Sequence, residues 1–306
     1  MKVLVATQKP FAKVAVEGIK KILEEAGHEV ALLEKYEAQA DLVAAVADAE
    51  ALIIRSDKVT EEVLAAAGKL KIVVRAGAGV DNVDLEAATK HGVVVMNTPG
   101  QNSNAVAELA IAMMIFMSRT QFTPATGSEI SGKTLGIQAF GNVGRLVGAK
   151  AKALGMKVKA IDPFLPAEKI VEGGAEPAES LEALYAGSDF VSIHIPATPE
   201  TIGSIGYKLI TSMPKGATLV NTARKEVIDE AGLEKALSER EDLKYVADVA
   251  PDNYAELREK FGLRVFATPK KMGAQTAEAN INAGLAAARQ IADFFATGNT
   301  RFQVNK

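Results

Sequence analysis

Short runs of β-branched and other apolar residues alternate along this chain with Ala-rich helical stretches. The runs read KVLVAT, EVALLEK, ALIIRS, KIVVRA and VVVMN, then, after a break, KTLGIQAF, KVKAID, DFVSIHI, ATLVNT, LKYVADV and RVFAT. Strand and helix repeated in this order predict an α/β fold of parallel sheets with helices on both faces. Eleven strands are too many for one ordinary sheet. The linker-like TPATGSEISG, residues 123–132, falls between the fifth and sixth, so the pattern predicts two doubly wound units divided there. The last helical stretch, AQTAEANINAGLAAARQIADFFATG, has no strand after it and is free to cross back to the first unit.

The helix around residues 102–119 is apolar on nearly every side, unlike a surface helix. Two readings stand: a helix buried between domains, or a face that a second subunit covers.

Composition narrows the function classes. A chain of 306 residues with 48% hydrophobic and 24% charged residues has material for two domains, each with its own core. A net charge of −3 argues against nucleic acid or an anionic membrane as partner, so any phosphate chemistry is local. Zero cysteines removes disulfides, thiolate nucleophiles and cysteine-ligated metals, and no metal site is expected. The start MKVLVATQKP is too short and too early in polarity for a secretory h-region, so no leader is expected, and no apolar run approaches the roughly 18 residues that span a membrane. The nearest, AVAELAIAMMIFMSR, is interrupted by Glu108 and Arg119. A cytoplasmic location is expected.

LGIQAFGNVGRLVG runs out of a strand into a helix. Gly141 and Gly144 fit the second and third glycines of a dinucleotide fingerprint, for backbone approach to a pyrophosphate and for helix–strand packing. Ala139 stands in the first glycine's place, although alanine resists positive φ. The next strand ends KVKAIDPF, placing Asp162 about twenty residues beyond the motif, where a carboxylate accepts from the ribose hydroxyls and repels a 2′-phosphate. NAD is favoured over NADP. A turn or capping role for Asp162 before Pro163 is the alternative.

These residues resemble the D-isomer-specific 2-hydroxyacid dehydrogenase family, most of all its short phosphoglycerate-oxidising members. The resemblance spans the whole chain through IIRSDKVT, VVRAGAGVDNVDLEAA, VVVMNTPGQNSNAVAEL, FGNVGR, SIHIPATPET, MPKGATLVNTARKEVIDE and GAQTAEANINAG. It implies a flavodoxin-like substrate domain of residues 1–98 and 274–306, and a Rossmann NAD-binding domain of residues 99–273, with a deep cleft between them. It also implies a homodimer formed through the cofactor domain by the apolar helix. Asn142 and Val143 would offer amides to the pyrophosphate, His194 and Pro196 would line the cofactor site, and Thr222 and Ala223 would border the nicotinamide. Asp248 would hold the carboxamide. His194 as a merely packed histidine is the alternative, and it is not assigned as a catalyst. His28 and His91 are expected to be solvated.

On the substrate side, Gly77 and Gly79 in VRAGAG let backbone amides close on a carboxylate, and the resemblance assigns Gly77, Ala78 and Gly79 to that contact. Arg55, Ser56 and Arg75 lie at the ends of strands expected to be neighbours. Two guanidiniums there suit a phosphate or carboxylate, the alternative being surface ion pairs. Asn102 matches an asparagine that closes the cleft. The implied reaction is NAD-dependent oxidation of a small phosphorylated 2-hydroxy acid, the first step of phosphorylated serine synthesis. Longer members append serine-sensing domains. RFQVNK follows the last helix directly, so feedback inhibition through such a domain is not expected.

The family's chemistry uses an arginine, a glutamate and a histidine. Arg224 in NTARK matches the arginine, which holds the carboxylate and polarises the C2 oxygen. Asn253 stands where the glutamate belongs, beside Asp252, and Lys271 stands where the histidine belongs, with one extra residue in the loop. Lys271 is therefore expected to replace the imidazole as acid/base, with Lys270 in reserve. The two losses are consistent, because the glutamate raises an imidazole pKa, and an ammonium, with a reference value near 10.4, needs no such help. Alternatives are a glyoxylate or hydroxypyruvate reductase of the same family, or an inactive NAD-sensing module.

Overall fold

The computed structural model describes residues 1–305 and divides into two compact units. One joins Met1–Asn102 to the C-terminal segment starting at Gln275, and the other is Ser103–Ala274. The first contains β1 (Lys2–Thr7), α1 (Lys13–Glu25), β2 (Glu29–Glu34), α2 (Gln39–Ala45), β3 (Ala51–Ile54), α3 (Glu61–Ala66), β4 (Ile72–Arg75), α4 (Leu85–Lys90) and β5 (Val94–Asn97). The second contains α5 (Ser103–Ser118), β6 (Thr134–Gln138), α6 (Asn142–Ala153), β7 (Lys157–Ile161), α7 (Ala167–Glu172), β8 (Glu176–Pro177), α8 (Leu181–Ala186) and β9 (Phe190–Ile193). It continues through α9 (Tyr207–Ser212), β10 (Thr218–Asn221), α10 (Glu230–Glu239), β11 (Lys244–Ala247), α11 (Tyr254–Phe261) and β12 (Val265–Ala267), and α12 (Ala277–Thr297) returns to the first unit.

Both sheets are parallel. The first has the order β2-β1-β3-β4-β5, a flavodoxin-like arrangement, and the second runs β12-β11-β10-β9-β6-β7-β8, the order of a doubly wound Rossmann sheet. Central strands are covered on both faces, which is why they read as unbroken apolar runs. All four residues of β3 and of β9 are buried, whereas the edge strand β2 has none buried. In α12, Ala283, Ala287, Ala288 and Ile291 share a core with Phe11, Ala15 and Ile19 beside α1. Beyond it the chain lies along the free edge of β5, where the Val304 N–H donates to Val95 O at 2.9 Å.

Two expectations need correction. The stretch 123–132 is not the division between units: it is an exposed loop inside the second. The division falls before α5, because Ala107, Ala110, Met113, Met114 and Met117 share a core with Leu135, Ile137 and Val147 of β6 and α6. A twelfth strand, β8, escaped the pattern because its two residues at a sheet edge carry no apolar run.

Candidate functional site

In the second unit the turn from β6 into α6 is built for close approach of an anion. Ala139 adopts φ 74°, the conformation the missing glycine would supply, while its N–H donates to Ile161 O at 2.9 Å. Gly141, the N-cap of α6, is exposed, and a β-carbon there would meet nothing within 4 Å. No side chain caps the helix, so the amide end around Asn142 and Val143 is open for an anionic ligand. Gly144 is required for packing: a β-carbon would lie 2.3 Å from Ala139 O.

The Asp162 carboxylate, at the end of β7, is oriented by two backbone donors. Oδ2 accepts from the Phe140 N–H and Oδ1 from the Phe164 N–H, each at 2.9 Å. Each oxygen keeps acceptor capacity, beside the turn that a dinucleotide would occupy. The turn role and the ribose role are thus compatible.

At the ends of β9 and β10 sit His194, Pro196, Thr222, Ala223 and Arg224. The His194 ring lies 3.0 Å through Nε2 from Ser192 Oγ and 3.4 Å through Nδ1 from Thr222 Oγ1. Burial pushes its pKa down to about 3, so the imidazole is neutral at ordinary pH. The exposed Pro196 holds its loop by accepting from Thr201 Oγ1 at 2.6 Å. Arg224 is half-buried, and its guanidinium donates to Ala223 O at 3.0 Å. Its backbone is fixed by Asn221, a buried residue that sequence reading missed. Asn221 Nδ2 donates to Arg224 O at 2.8 Å and Oδ1 accepts from the Ala223 N–H at 3.0 Å.

Asp248 is 1% exposed and faces the loop that carries Lys270 and Lys271, both exposed. Its Oδ1 accepts from the Met272 N–H at 2.7 Å and from Thr268 Oγ1 at 3.1 Å, and Oδ2 accepts from the Gly273 N–H at 2.8 Å. Asp252 pairs with Lys225. Glu230 accepts the backbone N–H of Asp252 at 2.9 Å and of Asn253 at 3.3 Å. Asn253 Oδ1 is buried without a hydrogen-bond partner.

In the first unit β3 and β4 are neighbours, with Ile54 opposite Arg75, so Arg55, Ser56 and Arg75 emerge at one sheet end. Ser56 is exposed and Asn102 partly so. Arg75 Nε donates to Arg55 O at 3.0 Å. Arg55 holds the loop after β1: its guanidinium donates to Lys9 O at 2.9 Å and Pro10 O at 3.2 Å, bonds Asn280 Oδ1 of α12, and lies 5.2 Å from the Phe11 ring centre. Burial lowers its pKa, offset in part by Asp57. Asp57, also missed from sequence, is buried and accepts from the backbone N–H groups of Gln8 (2.7 Å) and Arg55 (3.1 Å) and from Tyr36 Oη (2.9 Å). Neither Asp57 nor Asn280 had a signal beyond lying in quoted motifs. The Gly77–Gly79 turn is fixed at both sides, since Gly77 O accepts from the Thr98 N–H at 2.9 Å and Ala78 O from Asn97 Nδ2 at 2.6 Å.

Of the other two histidines, His91 is exposed as expected and His28 is only partly so. His28 packs against Phe295 with ring centres 5.3 Å apart, and His91 Nε2 lies 2.8 Å from Glu61 Oε1.

Residues 6–305 match the family described as D-isomer specific 2-hydroxyacid dehydrogenase, catalytic domain. Among curated proteins, the D-3-phosphoglycerate dehydrogenase of Methanocaldococcus jannaschii is 39% identical over 288 residues, covering 89% of this chain and 54% of that protein. The Rattus norvegicus protein of the same name is 37% identical over 290 residues, covering 90% and 54%. The chain thus spans about half the length of these relatives. The crystal structure of NAD+-bound 3-phosphoglycerate dehydrogenase from Entamoeba histolytica is 51% identical, with a TM-score of 0.89, covering 100% of this chain and 99% of that one.

Proposed function

The chain belongs to the D-isomer-specific 2-hydroxyacid dehydrogenase family, and on that premise we propose that it oxidises D-3-phosphoglycerate to 3-phosphohydroxypyruvate with NAD. The observation that carries this reading is the 51% identity, over the full chain, to a structure named as an NAD+-bound 3-phosphoglycerate dehydrogenase. The β6–α6 turn supports the cofactor. Gly141 leaves the amide end of α6 open, and Asp162 is held beside it. Bound NAD would supply a hydride acceptor.

The chain's own residues do the rest. Arg224 holds the substrate carboxylate and polarises the C2 oxygen. Lys271, as the neutral amine, takes the C2 hydroxyl proton during oxidation; as the ammonium, it returns a proton to that oxygen during reduction. Arg75, Ser56 and the Gly77–Gly79 amides take the anionic groups, with Arg55 supporting them. Asn102 closes over the substrate. Neutral His194 with Pro196, Thr222 and Ala223 forms the wall for the nicotinamide. Dimerisation through α5 belongs to the same reading: Leu109, Ile115 and Phe116 are only partly buried, and Phe122 is 70% exposed. The proposed place is the cytoplasm, at the entry to phosphorylated serine synthesis.

A second reading is favoured by Arg55. Three of its hydrogen bonds already go to Lys9, Pro10 and Asn280, which weakens it as a phosphate ligand and leaves room for a smaller oxo acid such as glyoxylate or hydroxypyruvate. NADH consumption with 3-phosphohydroxypyruvate, hydroxypyruvate, glyoxylate and pyruvate side by side separates the two. Preference for the phosphorylated acid upholds the first reading, and preference for glyoxylate replaces it. Tight NADH binding with no turnover would point to a sensor instead.

A further inference from the structure

The loop from Pro269 to Met272 forms neither helix nor strand, yet it carries the proposed acid/base. An acid/base must sit within hydrogen-bond reach of one oxygen, so the backbone that carries it has to be held in place. Something must fix the loop, and Asp248 does so from beneath. A single oxygen, Oδ1, accepts from Thr268 Oγ1 on the entering side and from the Met272 N–H on the leaving side. The two ends of the loop therefore meet on one atom, with Lys270 and Lys271 at its tip. Oδ2 adds the Gly273 N–H, and the single Thr268 hydroxyl proton is shared between Oδ1 at 3.1 Å and Asp248 O at 2.8 Å. Gly273 is part of the clamp: a β-carbon there would lie 2.7 Å from Oδ2 and 3.2 Å from Val106 Cγ2.

We infer that Asp248 is a positioning residue for Lys271, holding the 268–273 loop in the one shape that brings the lysine to the reacting oxygen. The inference rests on the reading of Lys271 as acid/base. It is distinct from a contact of Asp248 with the nicotinamide carboxamide, for which Oδ2, accepting from the Gly273 N–H, would keep acceptor capacity. Asparagine at 248 would keep the volume and one acceptor, but its amide nitrogen would face a backbone N–H that needs an acceptor.

The test compares Asp248→Asn, Lys271→Met, the double variant and Thr268→Val in the reduction direction. Expected is a fall in kcat of about 100-fold for Asp248→Asn, with KM for NADH changed by less than about threefold. In the Lys271→Met background the same change should add less than about threefold. Thr268→Val, which removes a single donor, should lose about tenfold in kcat. It carries the test alone if Asp248→Asn fails to fold, as a thermal melt would reveal. Three results overturn the inference. One is a loss that falls on KM for NADH and is smaller with reduced 3-acetylpyridine adenine dinucleotide, which lacks the carboxamide N–H groups; Asp248 is then a cofactor contact. Another is an equal loss with and without Lys271, which shows that Asp248 acts by another route. The third is unchanged kcat in Lys271→Met alone, which removes the acid/base reading itself and is told apart by needing no change at 248.

Discussion

The Nε of Arg75 donates to the carbonyl oxygen of Arg55 at 3.0 Å, and Gly77 is what lets the Arg75 side chain lie there. A β-carbon on Gly77 would fall 1.5 Å from Arg75 Nη1, so alanine at 77 must expel the guanidinium. Gly77→Ala is expected to lower kcat/KM for 3-phosphohydroxypyruvate by about 100-fold while leaving KM for NADH unchanged. Steady-state kinetics with each substrate varied in turn checks this. An unchanged kcat/KM would take Arg75 out of substrate binding.

Arg55 is a separate case, because its guanidinium joins the loop after β1 to α12 through Lys9, Pro10 and Asn280. Arg55→Met is expected to destabilise the protein by about 1 to 3 kcal/mol, since it leaves partly buried acceptors unpaired; urea unfolding measures it. The kinetic loss decides the mechanism. A loss shared by phosphohydroxypyruvate and glyoxylate means that Arg55 acts through the loop, whereas a loss confined to the phosphorylated acid means direct contact.

Ala139 holds φ 74° without glycine's freedom. An L-residue with a β-carbon is strained there by roughly 1 to 2 kcal/mol. Ala139→Gly should therefore stabilise the protein, by about 1 kcal/mol once glycine's extra unfolded-state entropy is subtracted. NADH affinity should be retained, as the backbone shape is the same. Denaturant midpoints and a fluorescence titration test the two halves, and a destabilised Ala139→Gly would show that the turn carries no strain.

His194 links stability to pH. Its pKa is lowered by burial from the ordinary 6.5 to about 3, so between those values the unfolded chain binds a proton that the folded one refuses. Stability from this group is complete above pH 6.5 and falls as pH drops below it. Between pH 6.5 and about pH 5, before most carboxylates titrate, the loss amounts to about 2 kcal/mol. His194→Gln should flatten that segment of the stability curve, and parallel curves for the two proteins would mean that the ring is solvated.

Much of this architecture was written in local pattern. Runs such as ALII and FVSI announced strands because strands buried on both faces have no polar side to show. Neighbouring β3 and β4 followed from the winding order, which brought Arg55 and Arg75 to one sheet end. Contacts remote in sequence were hidden. Nothing local says that Arg55 will meet Asn280, or that the Asp248 carboxylate will face the loop at 268–273. The unit boundary was misplaced because polarity marks exposed loops, and the loop at 123–132 is exposed inside its unit. The strain at Ala139 was half legible: the sequence showed the missing glycine, and the backbone kept the glycine's conformation anyway.

On the proposed role of Lys271 as acid/base, oxidation and reduction should depend on pH with opposite signs. Oxidation consumes the neutral amine and reduction consumes the ammonium, so the oxidation rate should climb with pH while the reduction rate declines. In Lys271→Ala both limbs should flatten, with kcat lower by about 100-fold or more. Lys270→Ala, one residue away, should keep both limbs. Lys271→His should move the oxidation limb to lower pH, since an imidazole loses its proton near pH 6.5 rather than in the lysine range. Full pH profiles of both directions for these variants test the assignment. Limbs that persist in Lys271→Ala and vanish in Lys270→Ala would transfer the role to Lys270, and limbs that persist in both would assign the proton to a group outside this loop.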